Sequence, residues 1–282
     1  MQFLVGSELN YTLQQRSTLI LNLHALRTPS QTIIEENFHV EPPVRCEEFL
    51  SATGENRFVR LDTGNTKNLT VRYSATVNTH VRAIPQSEIN SVPVSRLDRA
   101  VIPYLFPSRY CQSDRLGRLA WGKFGTIKHP YDRVSAITEW IHENVEYLRG
   151  MTNSETSAFD TVTQRAGVCR DFAHLGIALC RALSIPARYF TGYAHQLQPP
   201  DFHACFEAHI GKQWFIFDAT RLAPLNGLVR IATGRDAADA SVATIFGRVQ
   251  LSSITVFCDI AGEKFRPWTH RQVTRQALSL EG

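Results

Sequence analysis

The stretch from Arg165 to Tyr193, RAGVCRDFAHLGIALCRALSIPARYFTGY, restricts the fold more than any other part of the chain. Phe172, Leu175, Ile177, Leu179, Ala182 and Leu183 make an apolar helical face, and Pro186 forbids the helix from continuing much past Ser184. Gly167 frees the backbone to turn sharply just upstream, so Cys169 is expected in the first helical turn. Beyond Pro186 the runs ARYFTGY, HACFEAHI and QWFIFDAT read as strands. The expected core is α+β, a helix bearing a cysteine packed on an antiparallel sheet.

A thiol at that place is chemically distinctive. A helix N-terminus carries about +0.5 of a charge and unpaired N–H groups, which favour a thiolate and can receive an oxyanion. Cys180, in the middle of the same helix, has no terminus to activate it and reads as core. Cys169 by itself would also read as a small core hydrophobe, and only a base within reach changes that.

The segment DFHACFEAHIGKQWFIFDAT offers the base. Alternation puts His203, Cys205, Glu207 and His209 on one face and Ala204, Phe206, Ala208 and Ile210 on the other, with the apolar face expected to be the buried one. Gly211-Lys212 fits a two-residue hairpin loop. Such a loop pairs Ile210 with Gln213 and, counting back, Cys205 with Asp218. Asp218 then shares a face with His203, one diagonal step away and within side-chain reach. An odd-length loop would turn it aside. The expected catalytic set is therefore Cys169, His203 and Asp218, in which the carboxylate orients the imidazole and the imidazole takes the thiol proton. Glu207 is the alternative orienting acid, since it lies on the same face.

A metal site is the rival chemistry, because His203, Cys205 and His209 share a strand face and His195 lies just upstream. At about 3.3 Å per residue that spacing spreads ligands over about 20 Å, too far for one ion, so no metal or other cofactor is expected. His195 and His209 read as ordinary surface or strand-face histidines. Arg170 and Asp171 read as first-turn residues, the acid favoured there by the helix dipole. Asp236 and Asp239 could bind a cation, although paired loop carboxylates more commonly bond nearby backbone N–H groups.

The first hundred residues read as β. In NLTVRYSATVN, Leu69, Val71, Tyr73, Ala75 and Val77 alternate with polar residues, and TLILNLHAL places Leu19, Leu21, Leu23 and Ala25 in the same way. Pro93, Pro103 and Pro107 then interrupt any regular element, which marks a boundary: residues 1–107 as an antiparallel β-rich domain and 108–282 as the catalytic domain with a C-terminal extension. In HPYDRVSAITEWIHENVEYL, the stripe Val134, Ile137, Trp140, Ile141, Val145 and Leu148 predicts one helix starting at Pro130. After Asp218 a polar, Ala-rich loop is expected around Gly234, followed by SSITVFCDI as a last strand.

Four motifs in one order, AGVCRDFAHL, SIPARYFTGY, DFHACFEAHI and WFIFDAT, resemble the transglutaminase-like superfamily. The resemblance implies a papain-like core in which Cys169 matches the nucleophile, His203 the base and Asp218 its partner. The β-rich first part, with LDTGN before an alternating strand, is similar to the N-terminal module of bacterial members, and TGRDAAD to their C-terminal continuation. Cys205 departs from the pattern, standing where many members have Trp, a change in the wall of the acyl pocket. The implied activity is amide-bond hydrolysis or acyl transfer on a peptide or protein substrate through a thioester; the alternative is a non-catalytic binding or scaffold module of the same fold.

The totals are compatible with that chemistry and exclude others. A net charge of +4, carried by singly scattered Arg and Lys, leaves no electrostatic footprint for nucleic acid. No apolar run is long enough to cross a bilayer, so no membrane partner is expected. MQFLVGSELNY has too short an apolar patch and no basic flank for a secretory leader, and six dispersed cysteines without a CxxC pair suit a reducing compartment. A cytoplasmic location is the expectation.

Overall fold

In the computed structural model, residues 1–52, 56–262, 264–268, 272 and 275–281 are described. The alternation of the first part becomes the strands β1 (Gln2–Leu13), β2 (Thr18–Leu21), β3 (Gln31–Glu41), β4 (Arg45–Leu50), β5 (Arg57–Asp62), β6 (Asn68–Thr79) and β7 (Arg82–Pro85). Short 3-10 turns at Val94–Arg96 and Ile102–Leu105 follow, where the prolines deny the backbone regular hydrogen bonding. The remainder is α1 (Gly117–Phe124), α2 (Pro130–Asn144), β8 (Glu146–Tyr147), α3 (Ala158–Gln164), β9 (Ala166–Gly167), α4 (Cys169–Ala182), β10 (Ala187–Ala194), β11 (Phe202–Ile210), β12 (Gln213–Phe217), β13 (Leu228–Gly234), α5 (Ala237–Ala240), β14 (Ala243–Phe246), β15 (Val249–Ile260) and β16 (Gln276–Ser279).

The functional half is built on one antiparallel sheet ordered β12-β11-β10-β13. Helix α4 lies on one face of it, over β10 and β11. The approach is close because Gly176 faces Phe206: a Cβ at Gly176 would stand 2.5 Å from a ring carbon of that buried phenylalanine. The sheet therefore holds the helix at a distance set by a missing side chain, and with it the position of Cys169 relative to β11.

The expectation that one face of β11 is buried needs correction, because both are. Ala204, Phe206, Ala208 and Ile210 join the main core beneath α4. On the other face Cys205, Phe190 and Ile216 form a second apolar cluster with Leu278 and Leu280. Those leucines arrive with β16 and the residue after it, a segment that the sequence reading did not recognise as a strand. β13 also escaped it: Leu228–Gly234 is buried along its whole length, so it lacks the period-two alternation that marks a half-exposed strand. The helix over 130–148 is shorter than its apolar stripe. It stops at Asn144, and Glu146–Tyr147 instead pair in parallel with Ala166–Gly167, since tertiary pairing outweighs the local pattern.

The N-terminal part is two four-stranded sheets, β15-β1-β6-β3 and β14-β2-β5-β4. Leu69, Val71, Tyr73, Ala75 and Val77 point inward as the alternation required. The outermost strands β14 and β15 come from residues 243–260, beyond the catalytic motifs. Segments on either side of those motifs thus share the same sheets.

This β module also closes an edge of the catalytic sheet. β13 has β10 on one side only, and its other side would expose unpaired backbone groups. The Gln31 side chain accepts from Arg230 N–H at 2.7 Å and donates to Arg230 C=O at 2.8 Å, and Asn56 does the same for Thr233 at 3.0 and 2.7 Å. Both amides are buried. Asn56→Ala leaves the Thr233 N–H and C=O without these partners, and Gln31→Ala leaves the Arg230 N–H so, while the Arg230 C=O keeps Leu26 N–H at 2.8 Å; each is expected to cost about 1–3 kcal/mol, measured as a lower urea midpoint at unchanged slope.

Candidate active site

α4 begins at Cys169 because the backbone before it is held from several directions. Val168 N–H donates to the Asp171 carboxylate at 2.9 Å, and Thr152 Oγ1 donates to the same oxygen at 2.7 Å. Asp171 is fully buried in this role, the first-turn position expected for it. Arg170 reaches back to Asn153 C=O at 2.6 Å, which ties the 151–157 loop to the helix start. Leu148 N–H donates to Gly167 C=O at 2.9 Å, so the two-strand parallel pair β8–β9 delivers Tyr147 beside the residue that leads into Cys169.

The hairpin has an even loop. Gly211 takes φ +70°, and the ladder runs Ile210–Gln213, Ala208–Phe215, Phe206–Phe217. The next step would set Cys205 against Asp218, where the strand ends and the chain turns. Asp218 Oδ1 accepts from the backbone N–H and hydroxyl of Thr220 at 2.8 and 2.7 Å. Its Oδ2 accepts from His203 Nε2 at 2.8 Å. The side chains of this pair are 1% and 3% exposed, so water does not compete for the bond. With Nε2 committed, Nδ1 is the ring nitrogen left to serve the Cys169 side chain, which lines the same cavity as His203.

Burial disfavours a charged imidazole, but the Asp218 carboxylate and the Cys169 side chain outweigh it and lift His203 to about 10. Burial likewise opposes ionisation of Asp218, and here His203 and Thr220 win, holding the carboxyl below its ordinary range. His203 therefore carries its proton through neutrality. Cys169, half-buried, opens with His203 into a cavity of about 280 Å³ whose wall includes Tyr147, Arg149, Leu197, Pro199, Asp201 and Leu222.

The other residues singled out from sequence lie apart from this spot. Glu207 receives Arg188 Nε at 2.7 Å and Arg230 Nη2 at 2.5 Å, one on each carboxylate oxygen, and bonds no histidine. Glu281 completes the group by contacting both arginines. His195 Nδ1 bonds Cys258 C=O at 2.7 Å, and His209 packs its ring on Trp214. Asp236 accepts from Tyr110 and Ala238 N–H, while Asp239 accepts from Arg235. Among the described residues no cluster of histidine, cysteine and carboxylate side chains has the spacing of a metal site. Cys180 is fully buried, and Cys205 sits in the second apolar cluster.

Sequence reasoning passed over Tyr147, Arg149 and Thr220. Thr220 had a signal in the Asp-x-Thr spacing, which suits a side chain folding back on the turn. Tyr147 and Arg149 had none, because a two-residue parallel pairing leaves no pattern in the sequence.

Comparison with known proteins fits this geometry. Residues 1–100 match the bacterial transglutaminase N-terminal domain, and residues 119–219 match the transglutaminase-like superfamily. A candidate cysteine protease from Cytophaga hutchinsonii, seen in a crystal structure, is 56% identical over 100% of this chain and 98% of that one, with a TM-score of 0.97. The chain belongs to the transglutaminase-like superfamily. Two other relatives are similar over less of their length. An uncharacterised protein of Mycobacterium leprae is 28% identical over 188 residues, which span 61% of this chain and 66% of that protein. One of Mycobacterium tuberculosis is 38% identical over 60 residues, 21% of this chain and 19% of its own.

In this transglutaminase-like protein Glu207 belongs to the support of the strand that carries His203. Glu207→Gln leaves two buried arginines facing one exposed carboxylate, and a loss of about 3–5 kcal/mol in unfolding free energy is expected, measured by chemical denaturation.

Proposed function

We propose that the chain is a cysteine-dependent amide hydrolase of transglutaminase-like type, acting on peptide or isopeptide bonds through a thioester on Cys169. One observation carries the proposal: a thiol at the first turn of a buried helix lines one cavity with an imidazole that bonds a buried carboxylate at 2.8 Å.

The reaction follows from those contacts. The Cys169 thiolate attacks the amide carbon, a C–S bond forms, and the carbonyl π pair moves onto oxygen. The Cys169 backbone N–H, free of helical partners at that position, helps to hold the oxyanion. As the intermediate collapses the C–N bond breaks, and His203 passes its proton to the departing nitrogen. Water then attacks the thioester, with His203 accepting a proton, and the thiol is released. Asp218 keeps the ring aimed and supports its charge, and Thr220 keeps Asp218 aimed. If an amine takes the place of water, the same acyl-enzyme crosslinks instead. Hydrolysis is the proposed outcome because the Cytophaga protein, similar over its whole length, is described as a protease candidate. Six unpaired cysteines accord with work in a reducing compartment, the cytoplasm.

Cys169→Ala is expected to reduce peptide turnover to background with an almost unchanged melting temperature, and iodoacetamide should label Cys169 first among the six thiols by mass spectrometry. Retained activity in that variant, or first labelling at Cys180, overturns the assignment.

The pH dependence has a definite sign. His203 must be protonated to serve the leaving nitrogen, so acylation should fall as pH rises through about 10. In Asp218→Asn the burial effect is no longer opposed by a carboxylate, and the alkaline limb should move down towards neutrality while kcat falls by about 10²–10⁴. A pH–rate profile of acylation for both proteins checks this.

A further inference from the structure

Asp218 sits on a turn that the sheet ladder does not reach. The pairing of β11 with β12 ends at Phe206–Phe217, one residue before the carboxylate. Two side chains of α2 take over there. His142, in the last turn of that helix, donates from Nδ1 to the Ala219 carbonyl at 3.0 Å. Glu139, on the same helix, accepts from the Arg221 guanidinium. Arg221 takes φ +58°, a left-handed backbone that a residue with a Cβ keeps only when its surroundings hold it there. Between these two fastenings lies Thr220, which gives its N–H and its hydroxyl to Asp218 Oδ1 and accepts from Leu222 N–H at 3.3 Å. Leu222 belongs to the wall of the cavity that Cys169 and His203 line.

The helix is itself anchored at its other end. Tyr131, fully buried in the first turn of α2, sets its ring against Phe215 and Phe217 of β12 at 6.1 and 5.3 Å between centroids. Past Asn144 the same chain forms β8, which pairs with Ala166–Gly167 just before Cys169. One helix therefore fastens the turn bearing the acid and leads into the strand beside the start of the nucleophile's helix.

We propose that His142 and Arg221, the latter through its ion pair with Glu139, are positioning residues: they tie the Asp218–Leu222 turn to α2 and so keep the Asp218 carboxylate on His203 Nε2. This rests on the hydrolase function proposed above. The bond they protect is 2.8 Å long, and a hydrogen bond weakens steeply as it bends. A turn free to shift would loosen it, and a buried imidazole with a loosened carboxylate gives up its proton more easily. The charged or titratable groups acting on His203 directly are Asp218 and the Cys169 side chain. Among the described contacts His142 and Arg221 make no hydrogen bond to His203 or Cys169, so their influence passes through the turn.

The test reads the thiol in the full chain. Iodoacetamide reacts with a thiolate, which a charged imidazole in the same cavity favours at neutral pH; at about pH 10 a thiol ionises without that help. His142→Ala combined with Arg221→Gly removes both fastenings, and glycine accepts the left-handed backbone at no steric cost. The double variant is expected to slow Cys169 alkylation about tenfold at about pH 7 and to leave it within about twofold at about pH 10. Added to Asp218→Asn, it should change the rate by less than about twofold, since the carboxylate it positions is already gone. His142→Ala alone, at an exposed position, should show the same pattern at about threefold, and it decides the matter if the double variant does not fold. Equal slowing at both pH values, an unchanged rate at about pH 7, or an undiminished tenfold loss on top of Asp218→Asn would overturn the proposal. If the parent shows no selective alkylation of Cys169, or if Asp218→Asn leaves its rate at about pH 7 unchanged, the hydrolase function itself fails and takes the proposal with it, an outcome seen without any variant of α2 or Arg221.

Discussion

A histidine and an aspartate, both out of contact with water, share one hydrogen bond of 2.8 Å, and much of the catalytic half is arranged around keeping that bond intact. Neither group is comfortable alone. A buried imidazole tends to lose its proton and a buried carboxyl to keep its own, so each is stable as an ion only because the other is there. Thr220 saturates the remaining carboxylate oxygen with two bonds, which stops Asp218 from rotating away. The even hairpin loop sets Asp218 on the same sheet face as His203, and one residue more or fewer would put the charges on opposite sides of the sheet.

The rest of the sheet is braced to hold that strand. On its α4 face, Gly176 admits the Phe206 ring and brings the Cys169 end of the helix close to β11. On its other face, Cys205 packs in an apolar cluster with Leu278 and Leu280. Beside it Glu207 is clamped by Arg188 and Arg230, whose guanidinium groups also stack over Trp214 and Phe190. Charged groups in such a place favour one geometry over others, since any slip leaves an unpaired ion in a dry interior. At the far edge, side-chain amides from the N-terminal module substitute for a fifth strand along β13. The module is in this way part of the catalytic sheet's hydrogen bonding and more than an appended domain.

Much of the arrangement was legible in the sequence. The helix start at Cys169, the strand alternation of β6, the even loop at Gly211-Lys212 and the placing of His203 and Asp218 on one side all follow from local pattern. What escaped notice shares a physical cause. β13 and β16 are enclosed by partners far away in the chain, so their residues carry no amphipathic signature, and β8 and β9 are too short to have any periodicity. The polar face of β11 read as solvent-facing because its ion partners, Arg188, Arg230 and Glu281, lie on three other segments.

The sequence by itself determined the elements that depend on neighbours in the chain: where α4 begins and ends, which residues alternate, and how many residues the hairpin loop holds. Local sterics and hydrogen bonding act over a few residues, and they suffice for that. Only the tertiary structure decided which carboxylate meets His203 and which is consumed by arginines, how deeply the pair is buried, and that Tyr147 shares a cavity wall with Cys169. Those outcomes depend on distances between segments and on exclusion of water, and neither quantity exists until the chain has packed.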